Sequence, residues 1–287
     1  MKKKLFLAIM TAALLFAACG KKTADKKATE PEENKTQVET NDKTEAESEA
    51  TDEPEAKENE EDDTEETIAK FLADIQSSAS TIQQEITKVS EYAKEFEAYH
   101  DKDVSQTELN ELSRYPVVIW ETEMNSLWKR YAKNASDDEK NSQKTWESLK
   151  TGIIETQLKA YKDGSIYGLM TNDTNALFNK HRAYYIASLI ADANKETFAL
   201  PERDVYGSYA TEDGKSMLMI QPGMESGYEA TLVLDGKEPI TGSIEESGDD
   251  YYFTGNDGKT KGTVTLKWFG AMFTSDDSET HEFSVVF

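Results

Sequence analysis

A single cysteine in 287 residues excludes any disulfide within the chain, so its folded parts are held by packed cores alone. Only three histidines are present, His100, His181 and His281, and none has a partner at metal-ligand spacing. There is no G-x-S-x-G turn and no phosphate-cradling glycine loop, so the residues point away from catalysis and from a bound cofactor or metal. Base is scarce as well: 32 Lys and Arg stand against 56 Asp and Glu, a net charge of −24. Nucleic acid needs clustered Lys and Arg and is excluded as a partner. A cationic partner is favoured, through steering more than affinity. Long apolar runs are missing too. The one candidate, residues 5–16, falls short of the roughly 20 residues a membrane-crossing helix requires.

That short run has informative flanks. Lys2, Lys3 and Lys4 precede it, and Ala17 and Ala18 lead from it into Cys19. Basic start, apolar middle and small residues before a cut make a secretory signal. The stretch LLFAACGKK resembles the lipobox of bacterial lipoproteins, with Phe16 where Leu is commoner. The resemblance implies a signal peptide over 1–18 and a Cys19 that carries a diacylglyceryl group as the mature N-terminus. Two acyl chains, with palmitate as a typical acyl group, anchor a protein stably to membrane lipid, where one does not. Lys21, Lys22, Lys26 and Lys27 would then meet the headgroups. The expected location is the extracytoplasmic face of a cell membrane.

Residues 19–67 read as the lipidated cysteine and a disordered acidic tether. From Gly20 to Thr67 the net charge is −12, and Val38 is the only large aliphatic residue. Such a stretch cannot bury enough apolar surface to offset its ordering entropy. Residues 68–199 carry a net −4 with helical periodicity, and 204–287 form a strand-rich acidic region with most of the glycines. The fold class is multidomain α + β: a helical bundle followed by a small antiparallel β barrel or sandwich.

Ile68, Leu72, Ile75, Ala79, Ile82, Ile86, Val89, Ala93 and Phe96 alternate at spacings of four and three, predicting one helix from about Glu66 to Tyr99. Its stripe serves the chain's own bundle or, alternatively, a coiled coil with a partner. Ser105 with Glu108, and Ser136 with Glu139, are capping boxes opening later helices. Asp101, Asp103, Ser105 and Thr107 sit at calcium-loop spacing, but Gln106 and Leu112 occupy the places of the required Gly and Glu. A third helical run holds Trp120, Met124, Leu127, Trp128 and Tyr131, with Pro116 at its beginning. The next carries Trp146, Leu149, Ile153 and Leu158 and ends at a Gly164 cap. A last helix follows SIYGLMTND.

SQTELNEL, ETEMNSLWKRY, SQKTWESLK, DGSIYGLM and HRAYYIASLI together resemble the LprI-type lysozyme-inhibitor domain over roughly 104–191. Glu123, Asn125, Trp128, Gln143, Trp146, Gly164, Ser165, Ile166 and Arg182 stand at the matching places. The cysteine pair of many relatives is absent, and their Arg-Asp pair is replaced around Thr151 to Glu155. The resemblance implies a secreted helical binding module, with lysozyme as its most specific target. Within it Trp128 and Trp146 read as core anchors and Gly164 as a left-handed cap. Ser165 would cap the following helix, and Arg182 would hold a carboxylate or helix carbonyls. Lysozyme cleaves with paired carboxylates, so Lys162, Ser165 and Tyr167 are the candidate partner-binding residues.

From residue 205 the rhythm changes to period two. Eight runs, from YGSYAT to HEFSVVF, are separated by turns that include three Asp-Gly hairpins, at 212–215, 234–237 and 256–259. Phe283, Val285 and Phe287 alternate in the last run. An up-and-down barrel of this size either fills its interior or holds one small ligand. Tyr251, Tyr252, Phe253, Trp268, Phe269 and Phe273 would form that core or line that pocket. The function expected is protein binding in the cell envelope. The alternative is a small-molecule or lipid carrier using the barrel.

Overall fold

Helices come first in the chain and strands after, in the computed structural model, which describes residues 58–98, 103–203, 205–223 and 227–287. The signal-like leader, Cys19 and the acidic stretch as far as residue 57 lie outside the described residues. Residues Glu61–Phe287 make one unit by their internal contacts.

The expected single long helix is two, α1 (Glu58–Ser78) and α2 (Ile82–Glu97). The hydroxyl-rich segment 77–81 breaks it. Ser77 and Ser78 donate back to the Asp74 and Ile75 carbonyls, while Thr81 Oγ1 accepts the Gln84 N–H at 3.2 Å and caps α2. α1 also begins within the stretch read as tether. The stripe survives the break: Ile68, Leu72, Ile75, Ile82, Ile86, Val89 and Ala93 are all buried against the chain's own bundle. That use leaves the stripe unavailable for a partner coiled coil.

Both capping boxes are present, Ser105–Glu108 opening α3 (Gln106–Leu112) and Ser136–Glu139 opening α5 (Asp137–Gln157). Ser105 and Thr107 therefore belong to a helix start; Asp101 lies outside the described residues. Pro116 sits in the first turn of α4 (Arg114–Tyr131), where its missing N–H has no intrahelical role. After a 3-10 turn at Lys159–Tyr161 comes α6 (Tyr167–Asn194), which absorbs the SIYGLMTND stretch instead of following it. Asn172 explains the early start, since its Nδ2 donates to Ser113 Oγ at 2.8 Å and to the Asn110 carbonyl at 3.1 Å, stitching α6 to the α3–α4 junction. Ala183, Ala187 and Ala191, four apart and fully buried, line the face of α6 within the helical core.

The strands are β1 (Gly207–Ala210), β2 (Met217–Pro222), β3 (Tyr228–Val233), β4 (Ile240–Ser247), β5 (Asp250–Gly255), β6 (Lys261–Lys267), β7 (Gly270–Ser275), β8 (Thr280–Phe283) and β9 (Val285–Val286). Every pairing is antiparallel, in the order β8-β7-β6-β5-β4-β3-β2-β1-β9. β8 and β9 are consecutive in the chain and pair with opposite edges, so the last run all but closes the sheet into a barrel. The positive φ of Asp235 and Gly236 gives the 234–237 hairpin its tight turn. The interior is filled by Tyr209, Leu218, Ile220, Leu232, Ile244, Phe253, Val264, Phe273 and Phe283. Gly242 and Gly262 make that filling possible. A Cβ at either position would lie 2.2 Å from a neighbouring carbonyl oxygen, and the one at Gly262 would also lie 2.7 Å from the Phe273 ring.

The last run does not keep one parity. Phe283 faces the barrel interior, but Val285 and Phe287 join the helical core while Val286 turns inward. Ser284 is the odd residue that switches the faces, as a bulge does. Phe287 thereby leaves the barrel and stacks on Trp146 (centroids 6.0 Å, 15°) and against Phe178 (5.3 Å). Helices and barrel share this core through Ala210, Met219, Val285 and Phe287.

Candidate functional site

Two carboxyl groups face each other inside the helical part. Glu85 comes from the first turn of α2 and Glu123 from the middle of α4; the residues are 3% and 0% exposed. Glu85 lies three after Ile82 and four before Val89, and Glu123 three after Trp120 and four before Leu127. Both acids thus sit on apolar helix faces and are carried inward by their neighbours. Arg130, in the last turn of α4, donates from both terminal nitrogens to the two Glu85 oxygens, Nη1 at 2.9 Å. Gln76, at the end of α1, donates to Glu123 Oε2 at 3.1 Å. Glu123 Oε1 is buried and meets no donor.

Two carboxylates beside one guanidinium leave a charge uncompensated. Burial first, and then the neighbouring Glu85, raise the Glu123 carboxyl to about 8, so it holds its proton at neutral pH. Burial opposes the Arg130 charge, yet the bonds and field of Glu85, aided by Glu123, hold it above its ordinary value. The resting cluster is therefore a neutral acid beside a paired carboxylate and guanidinium.

A cleft of about 340 Å³ opens over this cluster, lined by Gln76, Ser80, Thr81, Glu85, Arg130, Tyr131, Asn134, Asn194 and Glu196 among others. The linker after α6 builds one wall. Lys195 takes a left-handed conformation (φ 60°), and the Glu196 N–H returns to the Ala191 carbonyl at 2.8 Å. Glu196 Oε2 then accepts the Ile82 N–H at 2.9 Å and Oε1 accepts Asn194 Nδ2 at 2.9 Å, tying the linker to the start of α2. Tyr131 donates to Glu139 at 2.6 Å; burial first, then that bond, push its hydroxyl up to about 12.

The residues chosen from sequence fall elsewhere, except Glu123. Lys162 and Ser165 are exposed on the turn between the 3-10 segment and α6, and Tyr167, the first residue of α6, is half-buried. Ser165 makes no side-chain cap; its carbonyl accepts Asn110 Nδ2 at 3.5 Å. Gly164 does not adopt a left-handed conformation, and α5 has already ended at Gln157. Trp146 is a fully buried anchor, but Trp128 is only partly buried, and Asn125 is exposed. Arg182 holds neither a carboxylate nor a helix backbone carbonyl: its Nε donates to the Gln143 side-chain amide oxygen at 2.8 Å, and its guanidinium lies 4.6 Å from the Tyr185 ring centre. Glu85 and Arg130 were missed. An acid inside each apolar stripe was the readable signal.

A second polar group joins helices to barrel. His181 Nδ1 lies 3.0 Å from the Phe287 backbone oxygen, and Arg203 Nη2 reaches the same oxygen at 3.4 Å. The shared acceptor assigns the Nδ1 hydrogen to that bond. Burial, then the Arg203 charge, push His181 down to about 3, so the ring is neutral. Arg203 also donates to the Trp268 carbonyl at 2.7 Å and stacks over Tyr209. The aromatics of the strands divide between two jobs. Phe253 and Phe273 fill the barrel, whereas Trp268 and Phe269 pack outside it on His181, Tyr184 and Tyr185.

No protein-family model, curated protein or solved structure matches this chain. Among the described residues, no helix is long and apolar enough to cross a membrane.

Proposed function

We propose that the chain is a lipid-anchored, extracytoplasmic protein-binding module of the cell envelope, held through Cys19, with lysozyme inhibition as its most specific form. The observation that carries binding by an outer surface is the filled barrel. Tyr209, Phe253, Phe273 and Phe283 are each fully buried inside it, which speaks against the chamber a carrier would need. The leader and Cys19 support the location, and the LprI-like motifs support the target class. The acidity of residues 200–287 suits a cationic partner. Lys162 and Ser165 share one turn, with Tyr167 opening the helix that follows, and Lys162 and Ser165 stand in solvent, in reach of a partner's cleft.

The test uses the chain from residue 20 onward, because helices and barrel share a core. Added in micromolar excess to lysozyme, it should slow lysis of a bacterial suspension, and Lys162→Glu with Ser165→Trp should abolish the protection. Full lysis in its presence would overturn the lysozyme form of the reading. Mass spectrometry of the mature protein tests the anchor, expecting a diacylglyceryl adduct on Cys19.

A further inference from the structure

Where the helices meet the barrel, one guanidinium is buried without a counter-ion. Arg182, on α6, is 4% exposed. Its Nε is used on the Gln143 amide oxygen at 2.8 Å, and Nη2 reaches only the Ser142 hydroxyl, at 3.5 Å. Among the described residues Nη1 meets no acceptor, and no carboxylate forms an ion pair with the group. Glu147 acts on it from a distance. That side chain is exposed, and Gln143 stands between, donating from Nε2 to Glu147 Oε1 at 2.8 Å. The Tyr185 and Trp146 rings, centred 4.6 and 5.7 Å from the guanidinium carbon, attract the charge without neutralising it. Burial lowers the Arg182 pKa to about 10, so the group keeps its charge at neutral pH. A buried charge is ordinarily paired, because taking it out of water is costly.

A pocket of about 20 Å³ lies against this group, lined by Arg182, Ser142, His181, Tyr185, Phe269 and Ser284 among others, and no carboxylate lines it. We propose that this pocket binds a monatomic halide, chloride being the abundant one, as the counter-ion of Arg182. The volume exceeds what a single water needs and is far too small for sulfate or phosphate. The guanidinium supplies charged donors, and the Ser142 and Ser284 hydroxyls can turn their hydrogens toward the ion. His181 is neutral, its Nδ1 hydrogen being spent on the Phe287 carbonyl, and Arg203 Nη2, 3.4 Å from that nitrogen, adds a positive field behind the ring. Ser142 belongs to α5 and Arg182 to α6, whereas Phe269 precedes β7 and Ser284 links β8 to β9. A halide seated there therefore ties helices to barrel.

The experiment follows the chain from residue 20 onward at pH 7 and constant sodium, about 0.2 M, as chloride replaces gluconate, an anion too large for the pocket. The readouts are the chlorine-35 resonance linewidth and thermal melting. The expected result is broadening of the chloride line that bromide competes away, with a melting temperature that rises by roughly 2–4 °C and saturates. General salt effects run the other way, since gluconate is the more strongly excluded ion. Arg182→Met should lose both signals, and an apolar side chain of similar length in place of a buried unpaired charge keeps the fold. Ser142→Leu fills the half-buried rim with Arg182 left in place; it should also lose both signals while melting normally in gluconate, and it decides the matter if Arg182→Met does not fold. Glu147→Gln keeps an acceptor for Gln143 but removes the remote negative charge, and should tighten chloride about twofold. No chloride broadening, broadening that both pocket variants retain, a melting temperature indifferent to chloride, or weaker binding in Glu147→Gln would each overturn the proposal.

Discussion

The helical region and the barrel solve the problem of an interior differently. The barrel core is apolar apart from the Tyr209 hydroxyl, and antiparallel pairing satisfies its backbone. The helical core takes in Glu85, Glu123, Gln143, Asn179, His181 and Arg182. Helices satisfy their own backbones, so side chains from different helices are free to meet inside, and here polar ones do. The lesson is that burial of charge follows architecture: it lies where separate elements converge, and nearly vanishes where a sheet wraps on itself. It also makes one region sensitive to pH and the other to shape.

The sharpest way to break the comparison is to part the two regions. Phe287 directly follows the last strand but is buried among Trp146 and Phe178 of the helices. Phe287→Ala should cost about 3–5 kcal/mol, the range for a deleted core aromatic. The melt should split into two transitions by calorimetry, with near-ultraviolet signal lost from the Trp146 environment first. A single transition shifted downward would mean the remaining contacts still couple the regions.

Next in size is a shape test of the barrel alone. Gly242→Ala places a Cβ 2.2 Å from the Thr254 oxygen and 2.8 Å from the Gly255 Cα, both backbone atoms. Overpacking of this kind costs about 1–3 kcal/mol. Denaturant unfolding should show that loss unchanged between pH 5 and pH 8.

A pH test then isolates the helical region. Glu123 has a folded pKa raised to about 8 from 4.5, so its contribution is full below 4.5 and fades as pH rises to 8. His181 has a folded pKa lowered to about 3 from 6.5, so its contribution is full above 6.5 and fades as pH falls. The two oppose each other between 4.5 and 6.5. From 6.5 to 8 Glu123 acts alone, and stability should fall by about 2 kcal/mol at 1.4 kcal/mol per unit. In Glu123→Gln that fall should disappear, as measured by urea midpoints across the range.

The same division governed what could be read beforehand. All eight strand runs are present, because period two and Asp-Gly turns are local signals. Only the Ser284 switch, decided by the need to pair with both β7 and β1, escaped them. The helical stripe was legible as burial but not as one helix or two. The break at 77–81 depends on which hydroxyls bond back to the backbone, and an unbroken heptad pattern runs straight across it. For the cleft, Glu85 and Glu123 were visible as acids on apolar faces. Their meeting was not, because it joins residues 38 apart on helices whose angle the sequence does not state. The pairing of Arg182 with Gln143 instead of an acid was hidden for the same reason.

The smallest expected effect touches the cleft wall rather than either core. Lys195 holds a left-handed conformation at the end of α6, a place that glycine occupies with least strain. The strain persists because the chain must turn there: Glu196 has to return to Ala191 and reach the Ile82 amide across the start of α2. Lys195→Gly should relieve it and raise stability by about 0.5–1 kcal/mol, since a side chain in this region costs about 1–2 and glycine's unfolded-state entropy takes back part. Thermal melting detects a gain of that size. Unlike the charge tests, it should appear equally at pH 5 and pH 8, because neither Glu123 nor His181 is changed. A gain confined to high pH would instead mean that the turn and the Glu123 cluster are coupled, with the linker moving when Glu123 ionises.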